Sequence, residues 1–266
     1  MADKWDIFTT WQCVLPPSRP AEWQLEVIRD RIVNLEKPKV AVLGATIEFR
    51  DLLAECNVGD IYIFENNHHY FNEISRYRKH KNKEIKIWGD WLKMLNHYQQ
   101  FFDFILSDLT SGNISYDNRE LFYSGVSGAL KKNGLFIDRI LTKPLPFIPI
   151  DFLIEKYRKM AITNRSINDF NCEVLFCSSL LENPDHKVDT SQFYDYLLGL
   201  NIPQITSFVE SCYLITPRDC VWWYSKDWDE EKALYTKKFS VISEIQEPEH
   251  SAYAERAKLL LSKRRD

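Results

Sequence analysis

Short apolar runs recur through the first half of the chain at intervals of about 20 to 30 residues, and this spacing constrains the fold more than any other feature. The runs are residues 40–44 (VAVLG), 60–65 (DIYIFE), 84–88 (EIKIW), 102–108 (FDFILSD) and 135–141 (LFIDRIL). They are rich in Val, Ile, Leu and Phe and show little strict alternation, the pattern of strands covered on both faces in a parallel sheet. Residues 47–56, 68–81, 91–100 and 118–132 read as the crossover helices between them, the last stopping at Asn133-Gly134. The spacing predicts an open, doubly wound α/β sheet.

Upstream, residues 20–36 read as a helix with one apolar stripe, Leu25, Ile28, Ile32 and Leu35, preceded by an aromatic and proline-rich leader. Downstream, a proline-punctuated stretch at 144–149 opens a segment that reads as mainly helical, clearest at 150–162, 190–200 and 204–214. Residues 169–181 fit helix or strand by period. The chain closes with two more strand-like runs, 238–245 and 258–263. Residues 246–257 between them are too few for a crossover helix, so the pair is expected to be antiparallel. The expected organisation is a leader and helix (1–37), a mostly parallel seven-stranded core (38–143 and 236–266) and a helical insertion (144–235) acting as a lid.

The chain has 266 residues and a formal net charge of −4, which argues against a surface built to neutralise phosphates, so no nucleic-acid partner is expected. The basic runs at 76–83 and 258–265 read as solvated faces. The six cysteines are scattered, with no CxxC pair and no zinc-ligand spacing, which predicts free thiols and no metal. The first residues lack a charged start followed by an apolar stretch, and no apolar run approaches the about 18 residues that read as a membrane span. A soluble, cytoplasmic chain without a membrane partner is expected.

Chemistry gathers at the ends of the first four strands. Residues 40–50 (VAVLGATIEFR) run from strand through a small-residue turn into a helix. Gly44 and Ala45 there allow a ligand close to the backbone, Thr46 follows them, and the helix start offers free N–H groups. A full GxGxxG fingerprint is absent, which disfavours a nicotinamide dehydrogenase. Glu65 ends the second strand, placed to accept both hydrogen bonds of a ribose diol. After the third strand, Trp88-Gly89-Asp90-Trp91 offers a carboxylate for an exocyclic amine and indoles for stacking. The fourth strand ends at Asp108 before a polar turn. Each element alone has a bland reading, as tight turn, solvated acid or core anchor; their convergence on one sheet edge is what points to a ligand.

On these motifs residues 38–142 resemble the core of class I S-adenosylmethionine-dependent methyltransferases. Residues 42–46 (VLGAT) resemble the first motif, which holds the methionine part of the cofactor. Glu65 sits where the family places its ribose acid, and Asn66 follows, polar where an apolar residue often covers the adenine. Residues 89–91 (GDW) resemble the adenine-binding motif, with Asp90 and Trp91 carried over, and residues 104–108 (FILSD) resemble the fourth-strand motif facing the methyl group. Residues 130–137 (LKKNGLFI) resemble the step into the fifth strand. The first motif keeps a single glycine where the family often has more.

The resemblance implies S-adenosylmethionine as cofactor and methyl transfer to a small-molecule acceptor, by alignment of the acceptor with the sulfonium methyl. Asp108 is the expected catalytic group, with His68 and His69 as further candidate bases. Trp11 and Arg19 of the leader are expected to touch the substrate, Arg19 as a fixed cation for a carboxylate of the acceptor or of the cofactor itself. Most aromatics of 145–235 are expected to form that segment's own core, a few lining a pocket. The alternatives are an enzyme that cyclises the cofactor's aminobutyrate chain, releasing methylthioadenosine, and a non-catalytic cofactor-binding protein. Either segment could instead make a homodimer interface.

Overall fold

The computed structural model describes residues 14–142, 146–182, 187–213, 215–216, 218–223, 228–246 and 256–265. The expectation for Trp11 falls outside these residues. After helix α1 (Glu22–Ile32) the chain alternates strand and helix: β1 (Lys39–Leu43), α2 (Ile47–Glu55), β2 (Asp60–Glu65), α3 (His68–Ile74), β3 (Glu84–Trp88), α4 (Trp91–Met94), β4 (Phe102–Asp108), α5 (Arg119–Ala129) and β5 (Leu130–Leu141). An inserted segment carries α6 (Ile150–Arg158), α7 (Asn164–Cys177), β6 (Lys187–Asp189), α8 (Thr190–Gly199), α9 (Pro203–Cys212) and β7 (Val221–Trp223). Helix α10 (Trp228–Tyr235) returns to the sheet, completed by β8 (Phe239–Gln246) and β9 (Ala257–Arg264).

The seven strands lie in the order β3-β2-β1-β4-β5-β9-β8. β1 to β5 are mutually parallel. β9 runs antiparallel to β5, and β8 antiparallel to β9, as the short 246–257 connection requires. The order reverses between β1 and β4, whose carboxyl ends therefore flank the crevice where open α/β sheets bind ligands.

Both faces are covered, which is why the strands lack alternation. On one, Ile28, Phe49, Leu52, Phe71 and Ile74 of α1 to α3 pack on Val40, Val42, Ile63, Phe104 and Leu106. On the other, Leu95, Phe122, Val126 and Tyr235 pack on Ala41, Phe64, Ile105, Phe136 and Leu260. Each such side chain contributes roughly 1.5–3 kcal/mol by leaving water.

The helices expected over 20–36 and 150–162 are shorter, Glu22–Ile32 and Ile150–Arg158, and three further segments depart from the expected bounds. The helix expected to run to Lys132 ends at Ala129, and the strand begins at Leu130, with a register irregularity against Phe102–Phe104. Gly134 is not a helix stop: a Cβ there would lie 2.9 Å from the Phe102 carbonyl, so glycine lets two strand backbones approach. The helix expected over 68–81 stops at Ile74 with a short 3-10 turn after it, because Arg78 turns extended to reach Asp51 and Glu84. The helix expected over 91–100 likewise shrinks to α4 and a 3-10 turn.

The insertion has a core of its own, in which Tyr157, Phe170, Phe193, Tyr194 and Phe208 are buried. The ambiguous 169–181 stretch resolves as helix to Cys177. Thr163 caps α7, accepting from the Ser166 amide, while Ser166 accepts from the Thr163 amide. Phe152 and Tyr196 are exposed. Among the described residues no helix is long and apolar enough to cross a membrane, and no group of three His, Cys, Asp or Glu could hold a metal ion.

Candidate functional site

Gly44, one residue beyond β1, has φ +94°, a conformation that disfavours any side chain. Its amide donates to the Phe64 carbonyl at 2.8 Å, and the space where a Cβ would sit is open. Ala45 is buried beside it, and Thr46 stands just before α2. Thr46 does not cap that helix. Its hydroxyl donates instead across the crevice to Asp108 Oδ2 at 3.4 Å, linking the ends of β1 and β4.

Asp108 is also paired with Arg139 of β5, whose Nε lies 2.9 Å from Oδ1. Arg139 is fully buried and donates from Nη2 to the Pro17 carbonyl, tying the leader to the sheet edge. Burial pushes the Asp108 carboxyl up, while the Arg139 charge and the Thr46 hydroxyl pull it down. The sequence reading missed Arg139. Its signal was an Asp-Arg pair inside an otherwise apolar strand, where both charges had to be buried.

Glu65 ends β2 almost fully buried. Its Oε1 accepts from the Asn66 and Asn67 amides at 2.8 and 2.9 Å, leaving Oε2 outside those bonds. Burial raises its pKa against the pull of the two amides. Asn66 and the candidate bases His68 and His69 are exposed, and the His68 ring stacks on Trp88 at 3.6 Å between centroids. One strand further, Asp90 is exposed and accepts from the Leu92 amide at 3.0 Å, capping α4 with Oδ1 and leaving Oδ2 outside that bond. The Trp91 indole donates to the Phe64 carbonyl at 2.9 Å, so one of its roles is to anchor α4 to β2.

Arg19 meets a carboxylate, but one of this chain. Its Nη1 lies 3.5 Å from Glu48 Oε1 in the first turn of α2. Glu48 was not singled out in the sequence. Burial moves its pKa from 4.5 to about 7 despite Arg19, and its Oε2 is buried without a hydrogen-bond partner among the described residues. On the opposite face of the sheet, Asp138 of β5 pairs in register with Ser107 of β4. Burial moves Asp138 from 3.8 to about 7; Ser107 favours its charged form but is not aligned for a hydrogen bond.

A cavity of about 190 Å³ reaches Leu109, the residue after Asp108. Its wall combines leader residues Val14 and Ser18, Tyr70 of α3, Leu109 and Gly112 after β4, and Phe176, Trp222 and Trp223 of the insertion. Ser18 Oγ lies 3.1 Å from Cys172 Sγ, and the Leu15 amide donates to Asn168 Oδ1 at 3.3 Å, so leader and insertion touch directly. A buried ion pair fixes the insertion's return. Arg119 Nη1 donates to Glu231 Oε2 at 2.7 Å, its Nη2 donates to the Trp223 carbonyl at 2.7 Å, and Tyr123 donates to Glu231 Oε1 at 2.5 Å.

No protein-family model and no curated protein matches this sequence. Solved structures do match in fold. A Rhodobacter sphaeroides protein provisionally described as a Zn-dependent alcohol dehydrogenase aligns over 100% of both chains, with TM-score 0.63 and 15% identity. The N-methyltransferase NodS from Bradyrhizobium japonicum, solved with S-adenosyl-L-homocysteine, aligns over 96% of this chain and 92% of its own, with TM-score 0.54 and 9% identity. The Burkholderia thailandensis 1,6-didemethyltoxoflavin-N1-methyltransferase, solved with 1,6-didemethyltoxoflavin and S-adenosylhomocysteine, aligns over 98% and 82%, with TM-score 0.52 and 8% identity. The chain has the α/β fold of class I S-adenosylmethionine-dependent methyltransferases, with its strand order and reversed terminal pair.

Proposed function

We propose that this chain is an S-adenosylmethionine-dependent methyltransferase acting on a small-molecule acceptor, with residues 144–235 and the leader as its lid. The observation that carries the reading is the convergence of Gly44, Glu65, Asp90 and Asp108 on the carboxyl edge of a sheet of this topology. The residues present fit the cofactor. The open space at Gly44 suits the methionine part beside Ala45 and Thr46. The Oε2 of Glu65 suits the ribose diol, with Asn66 next to it, and Oδ2 of Asp90 suits the adenine amine beside Trp91. Bound there, the cofactor supplies an electrophilic methyl group on a sulfonium.

The chain's own contribution is alignment and exclusion of water. Asp108, held by Arg139 and Thr46, is the charged group that orients the reacting pair. The lid reading is supported by the cavity wall, to which leader, sheet edge and insertion all contribute. Arg19, engaged by Glu48, acts as a tether of the leader near the acceptor. The thiols of Cys56, Cys172, Cys177, Cys212 and Cys220, all free, suit a cytoplasmic setting.

The test is product analysis by mass spectrometry after incubation with S-adenosylmethionine and a panel of small acceptors. S-adenosylhomocysteine with a methylated acceptor is the expected outcome. Methylthioadenosine would mean cyclisation of the aminobutyrate chain, and tight binding without any product would mean a sensing or scaffolding protein.

A further inference from the structure

Two ion pairs of this chain are close and sealed. Arg50 meets Glu84 at 2.8 Å with side chains 1% and 5% exposed, and Arg119 meets Glu231 at 2.7 Å with both at 0%. The pair of Arg19 and Glu48 is different. Its atoms stand 3.5 Å apart, beyond the about 2.7–2.9 Å of a charge-assisted hydrogen bond, and its side chains are 30% and 14% exposed. It lies where the leader meets the sheet edge, with Glu48 in the first turn of α2, directly after the Gly44-Ala45-Thr46 turn.

The charges around Glu48 come from three parts of the chain. Arg19 of the leader and Arg139 of β5 favour its ionised form, and Asp108 of β4 opposes it. Arg139 and Asp108 are already paired with each other at 2.9 Å, and Thr46 donates to Asp108 as well. Burial outweighs the bond from the residue's own amide, Arg19 and Arg139, so Glu48 titrates at about 7. Tyr70 of α3 stands in the same neighbourhood: burial, then Glu65, Asp108 and Glu48, push its hydroxyl up. Three carboxylates thus gather at this edge. Asp108 is matched by Arg139, Glu65 is held by the Asn66 and Asn67 amides, and Glu48 is matched only loosely. A largely buried carboxylate without a close counter-charge keeps its proton until a cation arrives.

We propose that Arg19 and Glu48 form the subsite for the α-amino-acid end of the cofactor, Glu48 receiving its ammonium and Arg19 its carboxylate, with a proton leaving Glu48 for solvent as the ammonium arrives. This rests on the cofactor reading above. A guanidinium and a carboxylate side by side match an amino-acid zwitterion charge for charge, and they stand next to the turn that suits the methionine part. In the free chain the pair tethers the leader. With the cofactor present, the same two side chains make the leader part of the cofactor site.

The test is titration calorimetry on the full chain with S-adenosylhomocysteine and three analogues. Decarboxy-S-adenosylhomocysteine keeps the ammonium alone, deamino-S-adenosylhomocysteine keeps the carboxylate alone, and methylthioadenosine has neither. At pH 7, in buffers of different ionisation enthalpy, S-adenosylhomocysteine is expected to release about half a proton on binding, since a group titrating at about 7 is half protonated there. In Glu48→Gln that release is expected to vanish. Affinity for S-adenosylhomocysteine and the decarboxy analogue is expected to fall about 10-fold, with the deamino analogue and methylthioadenosine unaffected. Arg19→Gln is expected to show the converse, weakening S-adenosylhomocysteine and the deamino analogue about 10-fold and sparing the decarboxy analogue. A merely structural role for either residue would weaken all four ligands alike. That outcome, equal affinity for S-adenosylhomocysteine and methylthioadenosine, or proton release that persists in Glu48→Gln overturns the proposal while leaving the cofactor reading in place. Failure of all four ligands to bind would remove both.

Discussion

At Gly44 the backbone, not the space, demands glycine. Its φ of +94° is costly for any residue with a Cβ, although the Cβ itself would touch nothing within 4 Å. Gly44→Ala is therefore expected to destabilise the fold by about 1–2 kcal/mol and to weaken cofactor binding, read by denaturant unfolding together with S-adenosylhomocysteine affinity. Stability within 0.3 kcal/mol of wild type, on the scale of roughly 0.5 kcal/mol for inert surface changes, would contradict this. Glu48 makes a pH-dependent prediction. In the folded chain it titrates at about 7, against 4.5 when exposed, so folding disfavours its charged form. Below about pH 4.5 it is protonated in both states and the fold bears no penalty; between about pH 4.5 and 7 the unfolded chain has given up the proton that the folded chain keeps, so stability falls across that window and levels off above it. Glu48→Gln is expected to flatten part of this decline and to gain up to roughly 3 kcal/mol at pH 8. Asp138, which titrates at about 7 as well, retains its own share of the slope. Urea unfolding at a series of pH values reads it, and parallel profiles for variant and wild type would show that Glu48 does not titrate there.

Among the elements, the most exacting contact joins α5 to α10. Arg119, Glu231 and Tyr123 are all fully buried and satisfy one another, so removing one partner strands a charge. Glu231→Gln is expected to cost about 3–5 kcal/mol in denaturant unfolding. A loss under 1 kcal/mol, the scale of an exposed pair, would show that the ion pair is not buried in solution. None of this was legible in the sequence, because Arg119 and Glu231 lie 112 positions apart. What was legible follows local rules. The runs at 60–65, 84–88 and 102–108 became β2, β3 and β4 with unchanged bounds, since each is a buried strand punctuated on both sides. Helix ends were legible only where local chemistry set them. α3 stops early for a tertiary reason, because Arg78 leaves the helical path for acids on α2 and β3. The acids at the strand ends could be read because strand polarity alone places them on one edge. Glu48 could not, because the leader supplies part of its surroundings, and Arg139 left only the trace of two adjacent charges in an apolar strand.

For the whole molecule, the central claim is that a class I methyltransferase sheet has kept its cofactor edge, with the leader and insertion closed over it. The edge gathers Gly44, Glu65, Asp90 and Asp108, and the Arg139 bond to Pro17 and the Arg119 bond to Trp223 tie the leader and the insertion to the core. Isothermal titration of the purified chain with S-adenosylhomocysteine tests the claim most directly. The expected result is one site per chain, with affinity reduced roughly 10- to 150-fold in both Glu65→Ala and Asp90→Ala, the loss of about 1.5–3 kcal/mol for a charged hydrogen-bond partner. No heat and no thermal shift with the ligand, or binding that neither substitution weakens, would contradict it.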